Sequence, residues 1–355
     1  MTRKRLLILS RYSRMGASSR LRTMQYLPYL VTAGFEVEVA SFFDDDYLDA
    51  LYSGRRVKGG SLKYFMRRIL QLRAATKADV IWLEKEALPW VPWRIEKWLL
   101  PKNVPVVSDY DDALFHRYDT HRNAVVRKVL GRKIDGVMAG STIVFAGNDY
   151  LARRAHEAGA QHIELVPTVV DMQAYHQSPV DKLDKRVRVG WIGTPKTWAE
   201  HCIPMLNMLR ETMLHHDAVF RAIGSGTPKQ QIPGFEFPDW SEDEEVGLIQ
   251  GMDIGIMPLT DSPMSRGKCG YKLIQYMACG LPVIASPIGV NSTIVEHGVN
   301  GYLASNEAEW KSALSDLLSN PALRRSMGEA GRKKAVAEYS IQAYGPKVAN
   351  LFSTI

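Results

Sequence analysis

The segment Ser265–Asn291 constrains the fold more than any other part of the chain. A basic, glycine-containing loop runs into a helical stretch and then into a short apolar strand. Gly267 and Gly270 let backbone pass close to a ligand. A helix beginning near Tyr271 would present unpaired N–H groups and the positive end of its dipole to the same spot. Arg266, Lys268 and Lys272 add fixed positive charge there. The spacing predicts a helix over Tyr271–Cys279 that stops at Gly280, because Leu281-Pro282 forbids continuation. Val283-Ile284-Ala285 then suits the inside of a parallel sheet. Loop, helix and strand in this order suit a pyrophosphate, and they also suit an ordinary αβ unit with solvated basic residues.

The rest of the chain repeats an alternation of short apolar runs and helical patterns. Strands are expected at Leu6–Leu9, Val37–Ser41, Val80–Leu83, Val104–Val107, Ile143–Phe145 and Ile163–Val166, with helices such as Leu21–Ala33 and Tyr150–Ala158 between them. A second series is expected at Val187–Ile192, Val219–Ile223, Ile254–Met257, Val283–Ala285 and Tyr302–Leu303. Each half reads as a doubly wound α/β sheet. At 355 residues, with 46% hydrophobic and 23% charged residues, two soluble domains are the natural division. Gly159, Pro167 and the polar run Gln173–Lys185 place a hinge near 168–186.

Residues 273–295 carry no charge over 23 positions. Pro282, Pro287, Gly280, Gly289, Gln275 and Asn291 interrupt that stretch, so a membrane-spanning helix is not expected. The apolar run Leu6–Leu9 is too short for a signal peptide and is expected to be a buried first strand. Cys202, Cys269 and Cys279 form no C-x-x-C pair and have no clustered His, which argues against disulfides and zinc and suits a reducing cytoplasm.

Charge is uneven. Residues 1–180 hold 27 Lys+Arg against 19 Asp+Glu, a net of +8, whereas residues 181–355 hold 18 against 19. Three clusters carry the excess: Ser61–Arg73, Trp90–Trp98 and Arg122–Lys133. The first and third alternate apolar and basic residues at helical spacing, and the second adds three Trp. Such helices suit an anionic lipid surface, where each Lys or Arg contributes roughly 1 kcal/mol. A solvated helix face over a normal core fits any one cluster equally well. No nucleic-acid-binding motif or dense basic tract is present.

The stretch Gly267-Lys-Cys-Gly-Tyr-Lys-Leu-Ile-Gln-Tyr-Met-Ala-Cys-Gly-Leu-Pro-Val-Ile-Ala-Ser-Pro-Ile-Gly-Val-Asn291 resembles the donor-nucleotide segment of the family four glycosyltransferases. Further pieces follow the same order: Gly16–Arg20, Ser108–Ala113, Ala146–Asn148, Val166–Asp171, Gly190–Pro195, Ala222–Gly226 and Asp253–Leu259. The resemblance implies the GT-B fold, two Rossmann-like doubly wound domains facing across a cleft. Residues 1–170 would form an acceptor-binding domain, joined by the final helix at about 341–355, and residues 171–340 a donor-binding domain. It implies a nucleotide-sugar donor of UDP or GDP type, no required metal or other cofactor, and a glycan or lipid-linked saccharide acceptor. The three basic clusters add the expectation of a cytoplasmic protein peripheral at the inner face of the cell membrane.

The chain departs from that family at its E-x(7)-E pattern. The second Glu falls on Gln275 and the first on Gly267. Gln275 can still hydrogen-bond a ribose diol, whereas Gly267 offers only backbone. Thr194 replaces the Arg that usually follows the glycine turn of the second domain. The resemblance therefore assigns donor binding to Gly16, Gly193, Thr194, Gly224, Arg266, Lys268, Tyr271, Lys272 and Gln275.

Ligands of open α/β sheets sit beyond the carboxyl ends of strands, which singles out Arg14–Arg22, Glu84-Lys-Glu86 and Asp109-Tyr-Asp-Asp112. Asp111 or Asp112 is expected to contact donor sugar or acceptor hydroxyl; the rival reading is that these carboxylates cap the next helix. Arg20, Glu84, Asp109 and His116 are the acceptor-side candidates. Asp109-Tyr-Asp111 also spells the D-x-D of metal-dependent transferases, a match short enough to arise by chance. The family's retaining chemistry needs no dedicated base. Catalysis would then be electrostatic, with Lys268, Arg266 and the helix start stabilising the departing pyrophosphate. Two other classes stay open: a nucleotide-sugar epimerase or hydrolase of the same fold, and a degenerate binding or scaffold subunit.

Overall fold

The computed structural model describes residues 3–52, 60, 62–175, 186–228 and 230–355. The expected hinge overlaps residues 176–185, and those lie outside the described residues. Two compact units result. One comprises residues 1–168, 267–269 and 344–355, and the other residues 169–266 and 270–343. The sequence reading places 267–269 with the second domain; in the structure these three residues pack with the first unit.

The first unit is built on β1 (Lys4–Leu9), β2 (Phe35–Val39), β3 (Val80–Glu84), β4 (Val106–Tyr110), β5 (Ile143–Ala146) and β6 (Ile163–Leu165). All pair in parallel, in the order β2-β1-β3-β4-β5-β6. Strands β3, β4 and β5 are buried along their whole length, and β5 and the first four residues of β3 are accordingly apolar without alternation. Phe352, near the chain end, packs against Trp82, Phe145 and Phe35.

Strand β4 sits later than expected. It starts at Val106 and carries Ser108, Asp109 and Tyr110 inside the sheet. A carboxylate is tolerated there because Arg22 meets it, as described below. The expected Leu21–Ala33 helix is broken into Ala17–Arg22, a 3-10 turn Met24–Tyr26 and Leu27–Thr32. Pro28 is the reason: lacking an N–H, it belongs in the first turn of a new helix.

The second unit contains β7 (Arg188–Ile192), β8 (Val219–Ile223), β9 (Phe235–Glu236), β10 (Ile254–Met257), β11 (Val283–Ala285) and β12 (Gly301–Leu303). Their order is β12-β11-β10-β7-β8-β9, again all parallel. Read from β9 this is the doubly wound dinucleotide-type order, with its switch point between β7 and β10. The two-residue β9 is too short to have left a pattern in the sequence.

The 23-residue uncharged stretch resolves into three elements: the Tyr271–Ala278 helix, β11 and the short Asn291–Ile294 helix. No helix among the described residues is long and apolar enough to cross a membrane. The Tyr271–Ala278 helix ends as its composition predicts. Gly280 adopts φ +75°, its N–H donates to the carbonyl of Met277, and the N–H of Leu281 donates to that of Tyr276. That pair of bonds satisfies the last carbonyls before Pro282 turns the chain into β11.

Candidate functional site

In the first unit the strand order reverses between β1 and β3, so a ligand crevice is expected beyond their carboxyl ends. Polar groups from three segments meet there, those that follow β1, β3 and β4. The Ser18 hydroxyl lies 2.9 Å from Glu84 Oε1 and 3.0 Å from Asp111 Oδ2, placing its single proton between two carboxylates. The Arg11 N–H donates to Glu84 Oε2 at 2.8 Å. The Lys85 ammonium sits 2.8 Å from Asp111 Oδ1 and 3.0 Å from Asp112 Oδ2.

Lys85 holds this position from a strained backbone, φ +65°, which β-strand ends and ligand sites tolerate when the surroundings over-determine it. Burial works against its charge, yet Asp111 and Asp112 hold the ammonium well above the ordinary lysine range. Burial likewise opposes ionisation of Asp111, but Lys85 and then Arg22 keep its carboxyl below the usual value. Asp112 is the accessible member, 44% exposed at its side chain against 19% for Asp111. Its Oδ1 is a buried acceptor that meets no hydrogen-bond donor among the described residues.

Three of the four acceptor-side candidates lie in the interior. Asp109 points into the unit, where Arg22 Nε and Nη2 donate to its Oδ1 at 3.0 and 2.6 Å and Trp82 Nε1 donates to Oδ2 at 3.3 Å. Glu84 is buried under Ser18, Ser19 and the Arg11 amide, and Arg20 is buried with its guanidinium on the Arg14 carbonyl. His116 is also engaged at both ring nitrogens, with Asp119 Oδ1 and Tyr150 Oη each at 2.8 Å. Asp111 lies past the end of β4, so Asp109 and Asp111 meet different partners, Arg22 and Lys85, and do not form a D-x-D pair. Among the described residues no group of three His, Cys, Asp or Glu gathers as metal ligands.

Gly267, Lys268 and Cys269 pack with this unit through Asn148. Its Nδ2 lies 3.1 Å from the carbonyl oxygens of Gly267 and Lys268, while its Oδ1 caps the Asp149–Ala158 helix. A side chain at Gly267 would strike Ala113 at 2.4 Å, so the loop's backbone lies directly on the residue after Asp112. Gly16 caps the Ala17–Arg22 helix against the Tyr12 side chain.

The second unit holds the remaining donor-side candidates. Gly193 follows β7 and Gly224 follows β8; Gly224 has φ +69°, and a side chain on it would meet the Gly193 carbonyl at 2.6 Å. Thr194 caps the Pro195–His201 helix through a reciprocal pair with Thr197. Gly270, at φ +66°, turns the chain into the Tyr271–Ala278 helix without any side-chain cap. The Lys272 ammonium lies 5.7 Å from the centroid of the Trp191 ring. Arg266 makes a two-pronged contact with Asp261, both distances 2.8 Å; this pair is exposed and costs little to open for a ligand.

Gln275 is buried, and it does not stand alone. Its Nε2 donates to Tyr175 Oη at 2.7 Å and to Glu245 Oε1 at 2.8 Å; Tyr175 Oη donates to the same oxygen at 3.0 Å, and Trp240 Nε1 to Oε2 at 2.7 Å. A carboxylate therefore lies beside Gln275, the position at which the resemblance led to the expectation of a Glu. Sequence reasoning passed over Glu245, which sits 30 residues away in a different helix, Glu245–Gln250. It named Lys85 only within Glu84-Lys-Glu86 and gave the site role to Glu84. In each case the only local signal was a charged residue at the end or start of an element.

Residues 186–320 match the family described as Glycosyl transferases group 1. A stretch of the chain is 38% identical over 140 residues to an uncharacterized glycosyltransferase of Methanocaldococcus jannaschii, covering 36% of this chain and 38% of that protein. Another is 30% identical over 170 residues to phosphatidyl-myo-inositol mannosyltransferase of Propionibacterium freudenreichii, covering 46% and 42%. The chain thus spans less than half the length of these curated relatives. Among solved structures, Anabaena HepE in complex with UDP-glucose superimposes with a TM-score of 0.74 at 16% identity, covering 99% of this chain and 100% of that one. The two six-stranded parallel α/β units are those of GT-B glycosyltransferases.

Proposed function

We propose that this chain is a retaining glycosyltransferase that moves a hexosyl group from a UDP- or GDP-sugar to a glycan or lipid-linked saccharide in the synthesis of a bacterial surface polysaccharide or lipopolysaccharide. The observation that carries the reading is the group 1 glycosyltransferase match over 186–320, because it encloses the Gly193 and Gly224 turns, the Arg266–Lys272 loop and the Tyr271–Ala278 helix. Donor binding is accordingly assigned to residues 186–320 and acceptor binding to residues 1–170.

The nucleotide pyrophosphate would be held by Lys268, Lys272, Arg266 and the uncapped helix start behind Gly270. Glu245, steadied by Gln275, Tyr175 and Trp240, would accept hydrogen bonds from the ribose hydroxyls. Asp112 Oδ1, a buried acceptor with no donor among the described residues, would take a sugar or acceptor hydroxyl, with Lys85 keeping Asp111 ionised and holding Asp112 in place. In the transfer the bond from the anomeric carbon to the phosphate oxygen breaks and the bond to the acceptor oxygen forms on the same face. The acceptor's proton passes to the departing phosphate.

Purified chain is to be offered a panel of UDP- and GDP-sugars with lipid-linked and free saccharide acceptors. Turnover that needs both donor and acceptor, and that falls at least about a hundredfold in Lys268→Ala with the fold retained, supports the proposal. Products from donor alone would point to an epimerase or hydrolase, and nucleotide binding without turnover to a scaffold subunit. Equal turnover by parent and Lys268→Ala removes the role of Lys268.

A further inference from the structure

We infer that the outer face of the helices Leu62–Ala74 and Trp93–Leu99, in the first unit, is a docking surface for an anionic lipid bilayer. The two helices touch and pack into one core, through Tyr64, Phe65, Ile69 and Leu72 from the first and Trp93 and Leu99 from the second. Their opposite sides carry what a folded interior would claim. Leu62, Met66 and Leu70, one turn apart, are 69%, 59% and 62% exposed, and Trp98 and Ile95 are 75% and 50% exposed.

The charges among them share one sign. Lys63, Arg73, Arg94 and Lys97 are exposed on the two helices, and Lys77 follows just beyond. Glu96, the one acid within these helices, is buried against Lys133 at 3.1 Å. Asp44 reaches only the first turns, 3.8 Å from Lys63 and 3.5 Å from Arg67.

An apolar stripe with a tryptophan, bordered by cations and with no exposed acid among the described residues of the two helices, fits the boundary between lipid headgroups and acyl chains. A second copy of the same face would bring like charges together, and a nucleic acid would leave the apolar stripe wet. The basic residues serving the interior are separate: Arg68 donates to the carbonyls of Ala40 and Ser10, and Lys133 is buried on Glu86. The inference is independent of sugar transfer.

The test is sedimentation of the full chain with vesicles of phosphatidylcholine alone and of phosphatidylcholine with about one third phosphatidylglycerol. Binding at least tenfold tighter to the anionic vesicles, weakened by raised salt, is expected. It should fall at least tenfold in the double variant Leu70→Glu/Trp98→Glu and in Arg73→Glu/Lys77→Glu, but not in the surface control Arg325→Glu/Lys333→Glu. Activity on a soluble acceptor, or the thermal melt if there is none, should stay at the parent level in all three. Should a Glu variant fail to fold, Met66→Gln/Leu70→Gln takes its place. Equal binding to both vesicle types, unchanged binding by the helix variants, or a dimer lost in those variants without vesicle binding would each overturn the inference.

Discussion

The Lys85 ammonium stands 2.8 Å from Asp111 Oδ1 inside the first unit, and the same nitrogen reaches Asp112 at 3.0 Å. One cation thus pairs with two carboxylates at the carboxyl end of the sheet. Lys85→Met should cost about 3 kcal/mol of unfolding free energy at pH 7, because a buried carboxylate loses its partner. Burial raises Asp111 but Lys85 lowers it further, so the group's contribution is present above the ordinary carboxylate value and lost as pH falls through the depressed one. The gap between parent and variant should therefore shrink below about pH 4. Urea unfolding at pH 7 and pH 3.5 checks it; a gap that widens in acid contradicts the pairing.

Glu245→Gln should weaken nucleotide binding about tenfold, the cost of losing a charged acceptor toward a diol. The folded state should survive, since Gln can still accept from Gln275 and Tyr175. Calorimetry with whichever of UDP or GDP binds the parent provides the measurement. Unchanged affinity would take Glu245 out of the ribose site.

Arg22→Met should destabilise by about 3 to 5 kcal/mol, because Asp109 would be left buried without its cation. Asp109→Asn should be milder and should leave the acceptor KM unchanged, in keeping with its interior place. A raised KM with unaltered stability would restore Asp109 as an acceptor ligand.

Burial pushes the Cys269 and Cys279 thiols up to about 12, and raises Cys202 as well. A raised thiol value means that the neutral form persists at pH 8, so little thiolate is available to react. Ellman's reagent should leave all three cysteines unmodified over the time that labels a free thiol, and should modify all three in guanidinium. Rapid labelling of Cys279 in the folded chain would show its pocket to be open.

Much of the fold could be read along the chain. Strands β8, β10 and β11 coincide with their apolar runs, and the stop at Gly280 follows from Gly, Leu and Pro in that order. These depend on contacts within a few residues. The site was less legible, because charge type alone does not say which way a residue points. Asp109 and Asp111 are two apart, yet one is locked on Arg22 and the other on Lys85.

The sequence by itself determined the alternation of strand and helix, the basic loop before Tyr271 and the bias of positive charge toward residues 1–180. Those are local properties of composition, turn chemistry and spacing. Only the tertiary structure decided which polar groups are spent holding the interior. It joined Arg22 to Asp109 across 87 residues, Lys85 to Asp112 across 27 and Gln275 to Glu245 across 30. Burying a charge is tolerable only when a partner arrives with it, and that partner is supplied by the packing of the sheet rather than by its neighbours in the chain.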